Sequence, residues 1–447
     1  MSSKYLFINP PVQEFSCSNF YSLPYGMIHI MSEFIRNDIE FCFYDFLHED
    51  FSYHDEKYKY KPNGTCQYPE KDIEKPIIFK DLHRRYKRFG NSIASFDEFT
   101  KKNKINMEQT TCFVSLDFTY RALSIINFID FLHTYGIKNE HIVIGGTAAL
   151  LIKPYLAEIL PGIRFYSPAL LNDITGKKLQ PGTDLYAPDL SVYKTLSFIP
   201  FRISRYCPFT CSYCANEYLS EYNSKYFDIH IHTSISKNKS SEYAKTLKGH
   251  IKRYSQRFNT NIAVPLDDAF LYNIDVIEQI FTDNTYKIYT PNGIHIHKID
   301  PVTAPLLKKA GLAELRFGIE SIGGKHQELS NFKLNNVDIN KKIDLLIKAG
   351  FEKKQIRFYI LYGLFDQTFK DVMDTIEFLK KTGCRINASG FSPVPYTEMY
   401  DRLNKKTDNL FDLHPELANN NTVPLWNREF TEDKVDRIKR LVNDQSV

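Results

Sequence analysis

The chain has 447 residues, of which 43% are hydrophobic, and 57 basic residues against 53 acidic ones give a net charge of +4. That length has room for two or three domains with sizeable cores, and so mild a charge argues against nucleic acid or an anionic membrane as partner. No run of about 18 uncharged apolar residues occurs, so no membrane span is expected. The start, Met-Ser-Ser-Lys before Tyr5-Leu-Phe-Ile8, lacks the apolar stretch and cleavage site of a secretory signal. Eight cysteines in a chain expected in the cytoplasm read as thiols or metal ligands rather than a disulfide framework.

Residues 4–46 read strand, loop, helix, strand, with Asn9-Pro10-Pro11 closing the first apolar run and Asp45 closing the last. Strands alternating with helices argue for a parallel sheet covered on both faces. Residues 49–107 interrupt the rhythm and are expected to be a polar, aromatic insertion with some helix of its own. Its basic run from Arg84 to Arg88 reads as a solvated helix face. The alternation resumes with the strand Cys112–Leu116 and a helix that sets Ile125, Phe128, Ile129 and Leu132 on one face before Gly136. Then comes His141-Ile-Val-Ile-Gly-Gly-Thr-Ala148, where Gly145 and Gly146 at a strand's carboxyl end would let a ligand approach the backbone. Residues 160–200 read as a connection to a second domain.

Cys207, Cys211 and Cys214 follow, spaced C-x3-C-x2-C directly after the strand-like run 201–206. Three thiolates on one tight loop can hold three irons of a cubane and leave the fourth open. An open iron is what the amino and carboxylate groups of S-adenosylmethionine chelate. The competing reading is a structural zinc site, which needs a fourth ligand; His230 and His232 are the only near candidates. Cys17, Cys42, Cys66, Cys112 and Cys384 are scattered and read as small buried hydrophobes.

Six strand-like runs with helices between them extend from Phe201: 201–206, 262–266, 287–289 continued at 293–296, 314–321, 356–363 and 385–392. Ile339, Ile343, Leu346 and Ile347 share one helix face, and Val372, Ile376 and Leu379 another. Six β/α units make an open, partial version of the (β/α) barrel, with its chemistry at the carboxyl ends of the strands. The predicted division is 1–195, 196–400 and a carboxyl-terminal helical cap over 401–447, whose last helix starts near Thr431.

Several residues are candidates for chemistry within this frame. Asp267 and Asp268 end the second barrel strand, where they could bind the amino group of S-adenosylmethionine or cap the next helix. Arg316, Gly318 and Glu320 alternate on one face of the fourth strand, and a charged face inside a barrel must be paired or liganded. Glu320, with Ser321, is therefore favoured for the ribose or methionyl part. His295 and His297 are expected to share a face of the third strand, where they could position substrate or move protons.

The order Asn-Pro-Pro, Val-Ile-Gly-Gly, the cysteine loop, Asp-Asp-Ala-Phe, Gly-Ile-Glu-Ser and Phe-Ser-Pro-x-Pro resembles radical S-adenosylmethionine proteins that carry an amino-terminal cobalamin-binding-type domain. The resemblance implies a Rossmann-like parallel-sheet module, a partial (β/α)6 barrel of the TIM type, and cobalamin between them. It implies a 4Fe-4S cluster on Cys207, Cys211 and Cys214, Tyr213 beside the adenine, and Asn9, Gly145 and Gly146 near cobalamin. It also implies a small-molecule or peptide substrate and an electron donor such as flavodoxin or ferredoxin. Three departures stand out: Tyr206 for a usual glycine, Phe365-Asp366 for Pro-Gly, and Tyr396 for the glycine of Pro-Gly-Thr. An axial-histidine motif for cobalt is absent after Asn9. The implied activity is cobalamin-dependent methylation of an unactivated carbon. Its alternatives are a radical enzyme of another reaction type and a non-catalytic metal-binding scaffold.

Overall fold

Five short strands form one parallel sheet: β1 (Tyr5–Asn9), β2 (Cys42–Asp45), β3 (Thr111–Ser115), β4 (Ile142–Gly145) and β5 (Arg164–Phe165). The computed structural model describes residues 4–179, 187–205, 207–227, 237–323, 334 and 337–444. The chain forms two compact units, Met1–Thr195 with Asp408–Ala418, and Leu196–Thr407 with Asn419–Val447. The sheet of the first unit runs β2-β1-β3-β4-β5, every pair parallel. Leu6, Phe7, Ile8, Ile142 and Ile144 are fully buried, as a sheet packed on both faces requires. The predicted helix face holds: Ile125, Phe128, Ile129 and Leu132 are all buried in Ala122–His133. In this strand order the winding reverses between β1 and β3, and it is at the carboxyl ends of such strands that open sheets of this kind take their ligands.

The stretch expected as an insertion is of two kinds. Its helix, Ile93–Lys102, capped by the Ser92 side chain, is the ordinary crossover from β2 to β3. The excursion proper lies before it and makes two small antiparallel sheets with the chain just past β1. Lys87–Phe89 pairs with Val12–Glu14 and Glu70–Asp72, and Cys66–Gln67 pairs with Ser18–Asn19 and Lys59–Tyr60. The basic run is therefore not a helix face: Lys87 and Arg88 lie on a strand, and Lys87 and Arg85 pair with Glu70 and Asp72. Pairing partners distant in sequence overrode the local pattern there.

The second unit is an open six-stranded parallel sheet in sequence order: β6 (Ile199–Phe201), β7 (Ile262–Pro265), β8 (Lys287–Tyr289), β9 (Leu312–Glu320), β10 (Ile356–Tyr362) and β11 (Arg385–Gly390). Helices return the chain between strands, among them Ile274–Ile280, Thr303–Ala310, Ile339–Lys348 and Phe369–Lys380. This is the partial barrel. Two boundaries differ from the sequence reading. β6 stops at Phe201, so residues 202–205 already belong to the cysteine loop. The third strand does not resume at 293–296: Gly293, at φ 79°, turns the chain, and only Ile294 touches β9, in a single bridge to Phe317. One helix face also narrows, since Ile347 is 39% exposed while Ile339, Ile343 and Leu346 are buried.

The tail is divided, residues 408–418 grouping with the first unit and the rest with the second. Its last helix, Glu432–Asn443, follows Thr431 and buries Val435, Ile438 and Val442. Before it, the chain passes the carboxyl end of β11 so closely that a Cβ on Gly390 would lie 2.1 Å from the Asn420 carbonyl oxygen. Two of the departures from the family pattern keep a glycine-like backbone without a glycine: Asp366 is at φ 53° and Tyr396 at φ 64°. Tyr396 adds a ring, stacked on Tyr218 at 4.1 Å. Among the described residues no helix is long and apolar enough to cross a membrane.

Candidate active site

The chain leaves β6 under close control. Asp267, just past β7 and 1% exposed, turns its carboxylate onto the backbone of the exit. It accepts from the Ser204 amide at 2.7 Å and from the Ile203 amide at 3.1 Å. The Tyr243 hydroxyl donates to the Arg202 carbonyl at 2.7 Å, and Asn273 Nδ2 donates to Ser204 Oγ at 2.8 Å. Burial pushes the Asp267 carboxyl up to about 7, against the two amides that favour its charge. Asp268 is also raised by burial, opposed by the Arg202 charge and a hydrogen bond from Asn216. Neither acts as a side-chain cap of the elements that follow, Phe270–Asn273 and Ile274–Ile280. Asp267 is spent on positioning the loop.

Within that loop Cys211 is buried, Cys207 half-buried and Cys214 exposed, and none forms a disulfide. The Cys214 amide donates to the Cys211 carbonyl at 2.9 Å, and the Met399 amide ties the loop down through the Ser212 carbonyl at 2.9 Å. The Cys211 and Cys207 thiols both belong to the electrostatic surroundings of Cys214. Among the described residues no three His, Cys, Asp or Glu side chains gather on a single ion; His230 and His232 lie outside those residues. A cubane asks for a different arrangement, because each thiolate holds its own iron and the sulfurs stand apart around the cluster. Three cysteines outside any disulfide on one anchored loop are a donor set that fits it.

Tyr213, between the second and third cysteines, reaches the far side of the barrel mouth, where its hydroxyl donates to Glu320 Oε1 at 3.0 Å. Burial, with the Glu320 charge added, raises the Tyr213 phenol well above its usual range. Glu320 ends β9 at φ 57°, a left-handed conformation that costs a non-glycine residue roughly 1–2 kcal/mol. The register between β9 and β10 slips just there, between Gly318 and Glu320. A Cβ on Gly318 would stand 2.9 Å from Glu320 Oε1, so the glycine leaves the space into which the carboxylate folds. Strain of this kind collects at functional sites. The contact also fixes the facing of β9: Gly318 and Arg316 look inward, while Phe317 and Ile319 are buried on the other side.

Arg316 is on that inner face, but its guanidinium is engaged from below: Nε and Nη2 donate to Glu314 Oε2 at 3.0 and 2.6 Å. Ser321 is buried and its hydroxyl accepts from the Gly323 amide at 3.5 Å. His295 and His297 do not share a strand face, because His295 precedes and His297 lies within a single 3-10 turn, Ile296–Lys298. Both rings meet Phe209 of the cysteine loop, His295 stacked at 4.9 Å and His297 edge-on at 5.4 Å. Tyr272 Oη and His297 Nε2 are 2.9 Å apart. Phe209, Tyr272, Glu314 and Arg357 were not singled out from sequence. Arginine between apolar residues at the start of a buried strand, as in Leu315-Arg316-Phe317 and Ile356-Arg357-Phe358, was the signal available for the last.

In the first unit, Asn9 stands at the carboxyl end of β1, but its side chain is committed. Nδ2 donates to Asp45 Oδ1 at 2.7 Å, and Oδ1 accepts from the Ser115 hydroxyl at 2.7 Å. Gly146, at φ 108°, would place a Cβ 2.3 Å from the Leu116 carbonyl oxygen, and Gly145 one 3.2 Å from Tyr166 Cβ. The close approach these glycines permit is to the chain's own atoms. A leucine at 146 would break this turn rather than fill a ligand's space.

Residues 201–379 match the family model described as the Radical SAM superfamily. No curated protein matches the chain in sequence. Among solved structures, the chain is similar to the radical S-adenosylmethionine methyltransferase TsrM from Kitasatospora setae, with cobalamin and a 4Fe-4S cluster bound. The TM-score is 0.57 and the identity 12%, over 91% of this chain and 78% of that one. The same enzyme with tryptophan and a SAM analogue gives 0.57 and 11%, over 90% and 76%. The cobalamin-dependent radical enzyme OxsB with aqua-cobalamin gives 0.47 and 11%, over 95% and 58%. At such identities the likeness is one of fold.

Proposed function

We propose that the radical SAM domain of this chain, residues 201–379, holds a 4Fe-4S cluster on Cys207, Cys211 and Cys214 and cleaves S-adenosylmethionine there. The further reading is methylation of an unactivated carbon in a small-molecule or peptide substrate, with cobalamin as methyl carrier. The observation that carries it is the anchored loop: three cysteines outside any disulfide follow the first barrel strand, and the tyrosine among them meets a strained glutamate on the inner face. When bound, the cluster supplies the electron that opens the sulfonium and cobalamin supplies the methyl group. The chain's own residues do the placing. Asp267 fixes where the loop leaves β6, Tyr213 and Glu320 close it over the mouth, and the Glu320 carboxylate is positioned for the ribose or methionyl part. Phe209, seated on His295 and His297, holds the loop's first half. An electron donor such as flavodoxin or ferredoxin, in a reducing cytoplasm, would suit an oxygen-sensitive open iron.

Cobalamin is supported by the strand order of the first unit and by the TsrM fold, whose structure contains it. It is not supported by Asn9, Gly145 or Gly146, whose contacts are internal. The test is to offer hydroxocobalamin during anaerobic refolding and follow cobalt through gel filtration. Retention with the spectrum of cobalt lacking a histidine ligand is expected. Wild-type protein that elutes without cobalt yet still releases 5′-deoxyadenosine would remove methylation and leave a radical enzyme of another reaction type.

Glu320→Gln is expected to weaken S-adenosylmethionine binding while the cluster's absorption is unchanged, since it removes a charge at the mouth and no iron ligand. Titration of the reconstituted variant with S-adenosylmethionine measures this. Unchanged affinity and turnover would make Glu320 a support for Tyr213 alone.

A further inference from the structure

Three arginines stand side by side on the inner face of the partial barrel. In the strand register Arg316 is opposite Arg357, and Arg357 is opposite Arg385. Residues so paired on parallel strands point to the same side, with strands about 4.8 Å apart. That side is the inner one, because Gly318, two residues above Arg316, faces the Glu320 carboxylate that Tyr213 meets. Like charges placed directly across a sheet repel.

The protein answers this repulsion once. Glu314 bridges the first two arginines, Oε2 to Arg316 at 2.6 Å and Oε1 to Arg357 at 2.5 Å. Burial works against its charge, yet the two guanidiniums outweigh it and hold the carboxyl below its usual value. Among the described residues the equivalent position between Arg357 and Arg385 has no such bridge. Arg385 makes no hydrogen bond or ion pair with any described residue, and Arg357 Nη2 makes none either, its Nε and Nη1 being taken by Glu314 and Asn387.

We infer that a carboxylate of the substrate docks between Arg357 and Arg385, repeating the bridge that Glu314 makes between Arg316 and Arg357. Planar guanidinium forks match a carboxylate with two parallel hydrogen bonds. The row lies two residues below Gly318, roughly 7 Å along the strand. The acid would therefore stand with its charged end on the arginines and its body directed to the mouth, under Tyr213 and Glu320. The substrate class is an organic carboxylic acid, a refinement that rests on the proposed function only for what happens at the mouth.

The test needs neither cluster nor cofactor, so its failure and that of the radical reading are distinguishable. Radiolabelled 3-phenylpropionate is dialysed to equilibrium against the full chain without iron, at fixed ionic strength, with 3-phenylpropionamide as the neutral comparison and inorganic phosphate as competitor. Saturable binding of the acid, at least tenfold weaker binding of the amide, and at least tenfold loss in Arg385→Gln are expected. Arg385 is exposed, so the variant is expected to unfold at the wild-type midpoint, while Lys405→Gln, another exposed cation, should bind as wild type. Equal binding of acid and amide, or undiminished binding in Arg385→Gln, would overturn the inference, as would displacement by phosphate at lower concentration than by unlabelled acid.

Discussion

Alanine at any one of Cys207, Cys211 and Cys214 is expected to take the anaerobically reconstituted protein from about four irons per chain to little or none. Release of 5′-deoxyadenosine should fall to background with it. On the proposed assignment each thiolate would hold a separate iron, so one lost sulfur would leave a corner to solvent and the remaining two would not retain the cube. At Cys207 and Cys214 the effect should be chemical and not structural. Cys214 is exposed and Cys207 half-buried, and neither contributes a packed apolar side chain whose loss would open a cavity. Iron and sulfide assays, with the unfolding midpoint alongside, separate the two causes. Stoichiometric zinc and no iron in the wild type after the same reconstitution would overturn the assignment.

Asp267→Ala should produce the next largest loss, although Asp267 touches no iron. Its carboxylate serves two backbone amides at the exit from β6, and a buried donor left without a partner costs about 1–3 kcal/mol. Cofactor cleavage should drop more steeply than iron content, because the loop would still hold three thiols but no longer in place. Asp267→Asn, which keeps an oxygen acceptor, should be milder. It should also change a pH dependence. The carboxyl rises from its ordinary 3.8 to about 7 in the fold, so the folded protein binds that proton more tightly than the unfolded chain. Its contribution to stability is full below the ordinary value and disappears as pH rises through about 7. Urea midpoints measured from pH 4 to pH 8 should therefore fall less in Asp267→Asn than in wild type. Parallel slopes in the two proteins would show that another group governs this range.

The strands are legible where apolar residues recur along them, at almost every position in β1 and at alternate positions in β10, and the cysteine loop is legible because its spacing is local. What escaped was set by pairing across the chain. The basic run at 84–88 reads as a helix face because nothing near it announces Val12–Glu14 as its partner. The histidines at 295 and 297 alternate as a strand would, yet Gly293 had already turned the chain away. From sequence Asp267 reads as a ligand or a helix cap, two local roles, whereas its partners lie more than sixty residues earlier. The arginine row could not be seen in any single strand, since it exists only once the register is known.

The divided tail bears on how the chain is made. The first unit includes Asp408–Ala418, a segment that leaves the ribosome only after every strand of the second unit has been synthesised. Translation at about 5–20 residues per second leaves the amino-terminal sheet waiting roughly ten to forty seconds for its last piece. During that interval the unit is complete in strands yet unfinished, so chaperone contact and proteolysis should concentrate on nascent chains halted between residues 195 and 408. Full-length chains would escape both. A fragment cut at 195 would carry the same deficiency permanently.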